Sequence, residues 1–153
     1  MDLDQMTTTQ RQDFIALLYT AADAVASELS TRMTALGYDE IRGAHGCVFG
    51  NIDPDGMRLT ELAELAGMTK QAVGESVSDL ERLGYAERAP DPSDGRAKII
   101  RLTKRGRAAQ RAGFEIIADI EHGWAEQFGV ERVSEMRSLL VEVVTTPRLA
   151  AAA

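Results

Sequence analysis

Gln71, Glu75, Ser78 and Arg82 recur at three- and four-residue steps, in a stretch whose apolar residues Val73, Val77 and Leu80 keep the same spacing. At about 100° per residue the two sets face opposite sides of one helix. An apolar back with amide, carboxylate, hydroxyl and guanidinium groups in front suits hydrogen bonding to base edges in the major groove of DNA. Any solvated amphipathic helix shows the same pattern, so the residues beyond it matter. Arg96, Lys98, Arg101, Lys104, Arg105, Arg107 and Arg111 follow, with no acid from 95 to 114. That is an electrostatic footprint for phosphates. On this reading Gln71, Glu75 and Ser78 meet bases, while Thr60, Thr69, Lys70 and Arg82 meet phosphates. Glu75 is unusual opposite a polyanion; a carboxylate there can accept from a cytosine amino group, which makes it an element of specificity rather than affinity. Gly74, inside the same helix, has two readings: close approach to DNA or a neighbouring helix, or a tolerated destabilisation.

Catalytic chemistry finds no residues to carry it. The chain has no Gly-rich phosphate loop, nucleophile elbow or paired-histidine motif. His45 and His122 are the only histidines and Cys47 the only thiol, so no catalytic residue, metal site or cofactor is expected. Cys47 lies among Ala44, Val48 and Phe49, where a buried, inert thiol is expected.

Residues 60–103 supply the elements that position these groups. Thr60 is expected to cap a short helix carrying Leu62, Ala63, Leu65 and Ala66, and Gly67 to stop it. Thr69 caps the second helix, with Met68 and Val73 at staple spacing. That helix ends at Gly84, where Tyr85 can fold back onto Leu80. Strands are expected over 85–90 and 97–102, separated by Asp91-Pro92-Ser93-Asp94-Gly95-Arg96. Upstream, Asp53-Pro54-Asp55-Gly56 reads as a turn, and Met57-Arg58-Leu59 as a short third strand beside the hairpin.

The segments TELAELAGMTKQ, LERLGYAER and DPSDGRAKIIRLTKRGR resemble the winged helix-turn-helix of the MarR (multiple antibiotic resistance regulator) family. The D-P-x-D-x-R wing, followed by a hydrophobic strand and L-T-x-x-G, is the most specific part, and the likeness runs from about 42 to 113. The resemblance implies a mainly α fold with a small β-hairpin wing, flanked by long dimerisation helices. It implies that Arg96 enters the minor groove, with Asp94 helping to hold it and Lys98 beside it. It also implies double-stranded DNA as partner, a homodimer, a pseudo-palindromic operator and often a small-molecule inducer, hence a ligand-responsive repressor and not an enzyme. A helix is implied over RGAHGCVFGN, residues 42–51, although Gly43, Gly46 and Gly50 each cost a helix about 1 kcal/mol relative to alanine. The inducer cleft would be lined by Phe14, His45, Phe49 and Trp124 and take a small aromatic compound. Two alternatives stand beside this: a winged helix used as a protein-interaction module, and oxidant sensing through Cys47. The family's peroxide-sensing branch, however, carries its reactive cysteine in the first long helix, which has none here.

The flanks are helical and acidic. Phe14, Leu17, Leu18, Ala21, Ala22, Val25, Leu29, Met33 and Leu36 predict one long helix over about 10–36, stopped by Gly37. After Thr103, a cap for a helix to about 128, Phe114, Ile117, Ile120, Trp124 and Phe128 form a stripe. Gly129 breaks it, and Val133, Met136, Leu140 and Val143 mark a last helix before Pro147. The expected organisation is a dimerisation helix over 1–41, the DNA-binding region over 42–113 and dimerisation helices over 114–153. Residues 1–9 and the alanine-rich end are expected to be loose. The net charge of −7 divides as two basic and seven acidic residues in 1–41, twelve and ten in 42–114, and three and seven in 115–153. The middle alone is positive, which reconciles an acidic chain with DNA. No apolar run reaches the roughly 18 residues of a membrane span. The polar, acidic N-terminus is wrong for a signal peptide, so a cytoplasmic location is expected.

Overall fold

The computed structural model describes residues 8–41 and 44–146, with backbone alone for 8–12 and 44. The expectations for residues 1–7, for Arg42 and Gly43, and for Pro147 and the alanine-rich end therefore lie outside the described residues. In chain order the elements are α1 (Thr8–Ala35), α2 (Ala44–Gly50), α3 (Leu59–Ala66), α4 (Lys70–Arg82), β1 (Ala86–Asp91), β2 (Asp94–Leu102), α5 (Lys104–Phe128) and α6 (Val130–Thr145). The chain divides into two compact units, Met1–Phe114 and Glu115–Ala153.

In the first unit α1 begins slightly earlier than its apolar periodicity suggests, so Thr8 and Thr9 are helical rather than loose. Gly37, at φ 83°, ends it, and the Tyr38 N–H closes back onto the Met33 carbonyl at 3.0 Å. Phe14, Ile15, Leu17, Leu18 and Tyr19 are exposed, and among the described side chains of α1 only Met33 is buried.

The helix over 44–50 forms despite its glycines. Val48 and Phe49 are buried, each contributing about 1.5–3 kcal/mol, which outweighs a penalty of about 1 kcal/mol per glycine. Turning those two inward sends Cys47 outward. The thiol is exposed, a correction to the buried position its neighbours suggested. The turn at Asp53 forms as expected: the Gly56 N–H bonds the Asp53 carbonyl at 3.0 Å and the Asp55 N–H bonds Asp53 Oδ1 at 2.8 Å.

Two buried side chains of α3, Leu62 and Ala63, join Val73, Val77 and Leu80 of α4 in the core. The hairpin is antiparallel, with Ala86 opposite Leu102 and Arg88 opposite Ile100. The expected third strand is one bridge: Met57 and Ile100 exchange backbone hydrogen bonds at 3.0 and 2.8 Å. Expected as a six-residue connection, the tip is tighter, because pairing continues to Asp91 and Asp94.

Tyr85 joins the parts. Its N–H completes the Gly84 cap onto the Leu80 carbonyl at 2.8 Å, and its fully buried ring meets Tyr38 and Phe49 edge-on. Its hydroxyl donates to Glu40 at 2.9 Å; burial, then that carboxylate, push the phenol up to about 12. Arg105 lies 4.3 Å over the ring and pairs with Glu40 at 2.7 Å. Thr103 caps α5 as expected, accepting from the Gly106 N–H at 3.0 Å.

In the second unit Gly129, at φ 95°, separates the end of α5 from α6. Glu121 and Arg137 pair across them. Beside the pair lies a groove of about 380 Å³ lined by Trp124, Val133, Met136, Leu140, Val141 and Val144. The stripe expected on α5 is shifted in part: Ile116 is buried, Ile117 half-buried, and Phe114 and Phe128 are exposed. No helix among the described residues is long and apolar enough to cross a membrane.

Candidate nucleic-acid interface

Helix α4 is set in place at both ends. Thr69 caps it, its hydroxyl accepting from the Ala72 N–H at 3.2 Å, and the Schellman bond at Tyr85 closes the other end. With Val73, Val77 and Leu80 inward, Gln71, Glu75, Ser78 and Arg82 are all exposed, as the spacing requires. Their polar atoms are already organised. Gln71 Nε2 donates to Glu75 Oε1 at 3.1 Å. The Ser78 hydroxyl donates to the Gly74 carbonyl at 2.8 Å and accepts from Arg88 Nη2 at 3.4 Å. Gly74 itself faces no crowding, since a Cβ there would have Leu59 Cδ2 as nearest neighbour at 3.9 Å.

Arg82 carries an ion pair within the chain. Its Nη2 donates to Asp79 Oδ1 at 2.9 Å, and Asp79 Oδ2 meets His45 Nε2 of α2 at 3.3 Å. Arg82 first, then His45, hold the Asp79 carboxyl below its ordinary value. The His45 Nδ1 is buried without a hydrogen-bond partner among the described residues.

At the wing the central group is Asp91, a side chain that spacing alone placed in a turn. It is buried. Oδ1 accepts from the Ser93 N–H at 2.8 Å and hydroxyl at 2.6 Å, and Oδ2 from Arg58 Nε and Nη2 at 2.8 and 2.7 Å. Ser93 first, then Arg58, hold this carboxyl down to about 2. Arg58 also stands where Thr60 was expected, as the N-cap residue of α3: its N–H donates to Glu61 Oε2 at 2.9 Å. Thr60 lies within the first turn, because chain pairing at Met57 starts the helix earlier. Asp94 Oδ1 accepts from the Arg96 N–H at 3.1 Å, so it orders the arginine's backbone.

Several cations of the basic run are spoken for. Arg101 pairs with Glu87 at 2.7 Å, Arg105 with Glu40, and Arg107 donates to the Leu102 carbonyl at 2.7 Å. Arg96 and Lys98 on the wing and Lys70 at the start of α4 are exposed and carry no ion pair among the described residues. Spacing also missed Arg88, which donates through its N–H to Glu81 at 3.0 Å and pairs with the same carboxylate through its side chain. Its alternation along β1 was the available signal.

The candidate effector residues are less united. In the first unit Phe14 is exposed, whereas Phe49 is buried against Tyr85 and His45 touches Asp79. Trp124 lines the groove of the second unit. Among the described residues no group of three or more His, Cys, Asp or Glu could hold a metal ion.

Residues 42–97 match the MarR family. Over those residues the chain is similar to the winged helix-turn-helix of that family. No curated protein matches the sequence. Among solved structures, CouR from Rhodococcus jostii RHA1 bound to p-coumaroyl-CoA is 20% identical, with 94% of this chain and 100% of that chain covered and a TM-score of 0.74. The transcriptional regulator Tm0710 from Thermotoga maritima is 27% identical, with 87% and 92% covered and a TM-score of 0.54. A variant of MepR from S. aureus bound to an oligodeoxyribonucleotide is 22% identical, with 86% and 95% covered and a TM-score of 0.56. The L-T-x-x-G end of the MarR-like motif now has a physical reason. A Cβ on Gly106 would collide with the Tyr85 carbonyl oxygen, the acceptor for the Thr103 N–H at 3.0 Å.

Proposed function

We propose that the chain is a sequence-specific DNA-binding transcriptional regulator, a cytoplasmic repressor acting as a homodimer on a pseudo-palindromic operator. The observation that carries this reading is the pairing of an exposed polar face on α4 with a wing whose Arg96 and Lys98 are uncommitted. In this reading Gln71, Glu75 and Ser78 meet bases, while Thr60, Thr69 and Lys70 meet phosphates. Arg96 enters the minor groove, with Asp94 and Lys98 beside it. The exposed apolar side chains of α1, and of α6 (Leu139, Leu140, Val143, Val144), support flanks that bury themselves against a second copy, residues 1–41 and 114–153. MepR with its oligodeoxyribonucleotide supports DNA as partner, and CouR with p-coumaroyl-CoA supports a small effector. His45 and Phe49 remain our effector candidates in the first unit, since His45 joins α2 to Asp79 of α4.

Arg96→Ala tests the wing. Operator affinity should fall by about 1–3 kcal/mol with thermal stability unchanged, because the residue is solvent-exposed. A folded variant with undiminished affinity removes the wing from this function.

A further inference from the structure

Resting on the DNA-binding reading, the geometry points to a specificity: the outer face of α4 reads the exocyclic amino groups of adenine and cytosine, not the acceptor edge of guanine. Three side chains decide this by what they still have to offer. Glu75 is a carboxylate and can only accept; one oxygen takes the Gln71 amide hydrogen at 3.1 Å, leaving Oε2 open. That bond also fixes the Gln71 amide, because only its nitrogen can face a carboxylate. Gln71 then presents a carbonyl oxygen and one remaining N–H, the pair that fits adenine N6 and N7. Ser78 donates its proton to the Gly74 carbonyl at 2.8 Å and accepts from Arg88 at 3.4 Å, so in this arrangement it offers a lone pair outward.

Of the cations that read guanine O6 and N7 elsewhere, the two arginines near this face are each engaged with a carboxylate. Arg82 is turned to Asp79 at 2.9 Å, and Arg88 is held by Glu81. Lys70 sits in the first turn of α4, one residue before Gln71. Guanine O6 opposite Glu75 would set oxygen against oxygen with no proton between them.

The test uses the duplex that the full-length protein recovers from randomised DNA, with Glu75→Gln as comparison, an exposed near-isosteric change that adds donors to an acceptor-only position. At the position whose base preference Glu75→Gln alters, deleting the amino group (purine for adenine, 2-pyrimidinone for cytosine) should weaken wild-type binding roughly 5- to 150-fold. 7-Deazaguanine placed throughout the half-site should leave wild-type affinity unchanged. A loss with 7-deazaguanine as large as that from amino deletion overturns the inference while leaving DNA binding intact. Harmless amino deletion does the same. Recovery of no duplex at all overturns the DNA-binding reading and this inference together.

Discussion

Replacing Gly74 by alanine adds one methyl group to the middle of α4, and two consequences can be worked out separately. Inside the protein the methyl finds space: its nearest neighbour would be Leu59 Cδ2 at 3.9 Å, an ordinary van der Waals contact. With no steric cost, the helix-propensity difference remains, about 1 kcal/mol in favour of alanine. For a chain of this length that is about 2–4 °C in Tm. The fold therefore does not demand glycine here: it is either a tolerated destabilisation or, on the proposed DNA-binding reading, a point of close approach to DNA beside Gln71, Glu75 and Ser78. A methyl forced into a packed interface costs about 1–3 kcal/mol, so operator affinity should fall roughly 5- to 150-fold. Urea unfolding followed by circular dichroism gives the first quantity and fluorescence anisotropy with labelled operator gives the second. A variant less stable than wild type would refute the packing argument. A more stable variant with unchanged operator affinity would show that α4 does not approach DNA at this residue.

Gly106→Ala should destabilise the first unit by about 1–3 kcal/mol, since its Cβ meets the Tyr85 carbonyl, a backbone atom that cannot rotate away; thermal unfolding checks it. The Asp91 clasp should be pH-dependent. Its carboxyl sits at about 2 in the folded chain against an ordinary 3.8, so its stabilisation is complete above about pH 4 and is lost as pH falls through 2. The stability difference between wild type and Asp91→Asn should accordingly shrink toward pH 2, read by denaturant midpoints across that window. Lys70→Ala should lower the salt slope of operator binding by about one, whereas Arg82→Ala should change it less, because Asp79 already pairs with that guanidinium.

Local signals carried most of the fold. Thr69, Gly67 and Gly84 mark helix ends because capping depends on one residue and its near neighbours. Val73, Val77 and Leu80 placed the outer face of α4 correctly, since helical phase follows from spacing alone. What spacing could not show is what those exposed groups bond to across the chain. Arg58 with Asp91, His45 with Asp79 and Arg88 with Glu81 join residues on different elements, and each changes the role of a charge in the site. Arg82, expected to meet a phosphate, has Asp79 beside it as an ion-pair partner. Cys47 looked buried because its neighbours are apolar, but one residue, about 100° of helix, separates it from buried Val48, and a seven-residue helix rich in glycine gives little periodicity to fix the phase. Thr60 is a good capping residue in the wrong place, because the bridge at Met57 decides where α3 begins.

Selection from a pool of randomised duplex DNA by the full-length protein, followed by sizing of the complex, tests the central claim most directly. A homodimeric regulator should enrich an inverted repeat with half-sites about 10 base pairs apart, centre to centre, bound by two copies of the chain. Enrichment of no sequence, or full-affinity binding of a single half-site by one copy, would contradict it.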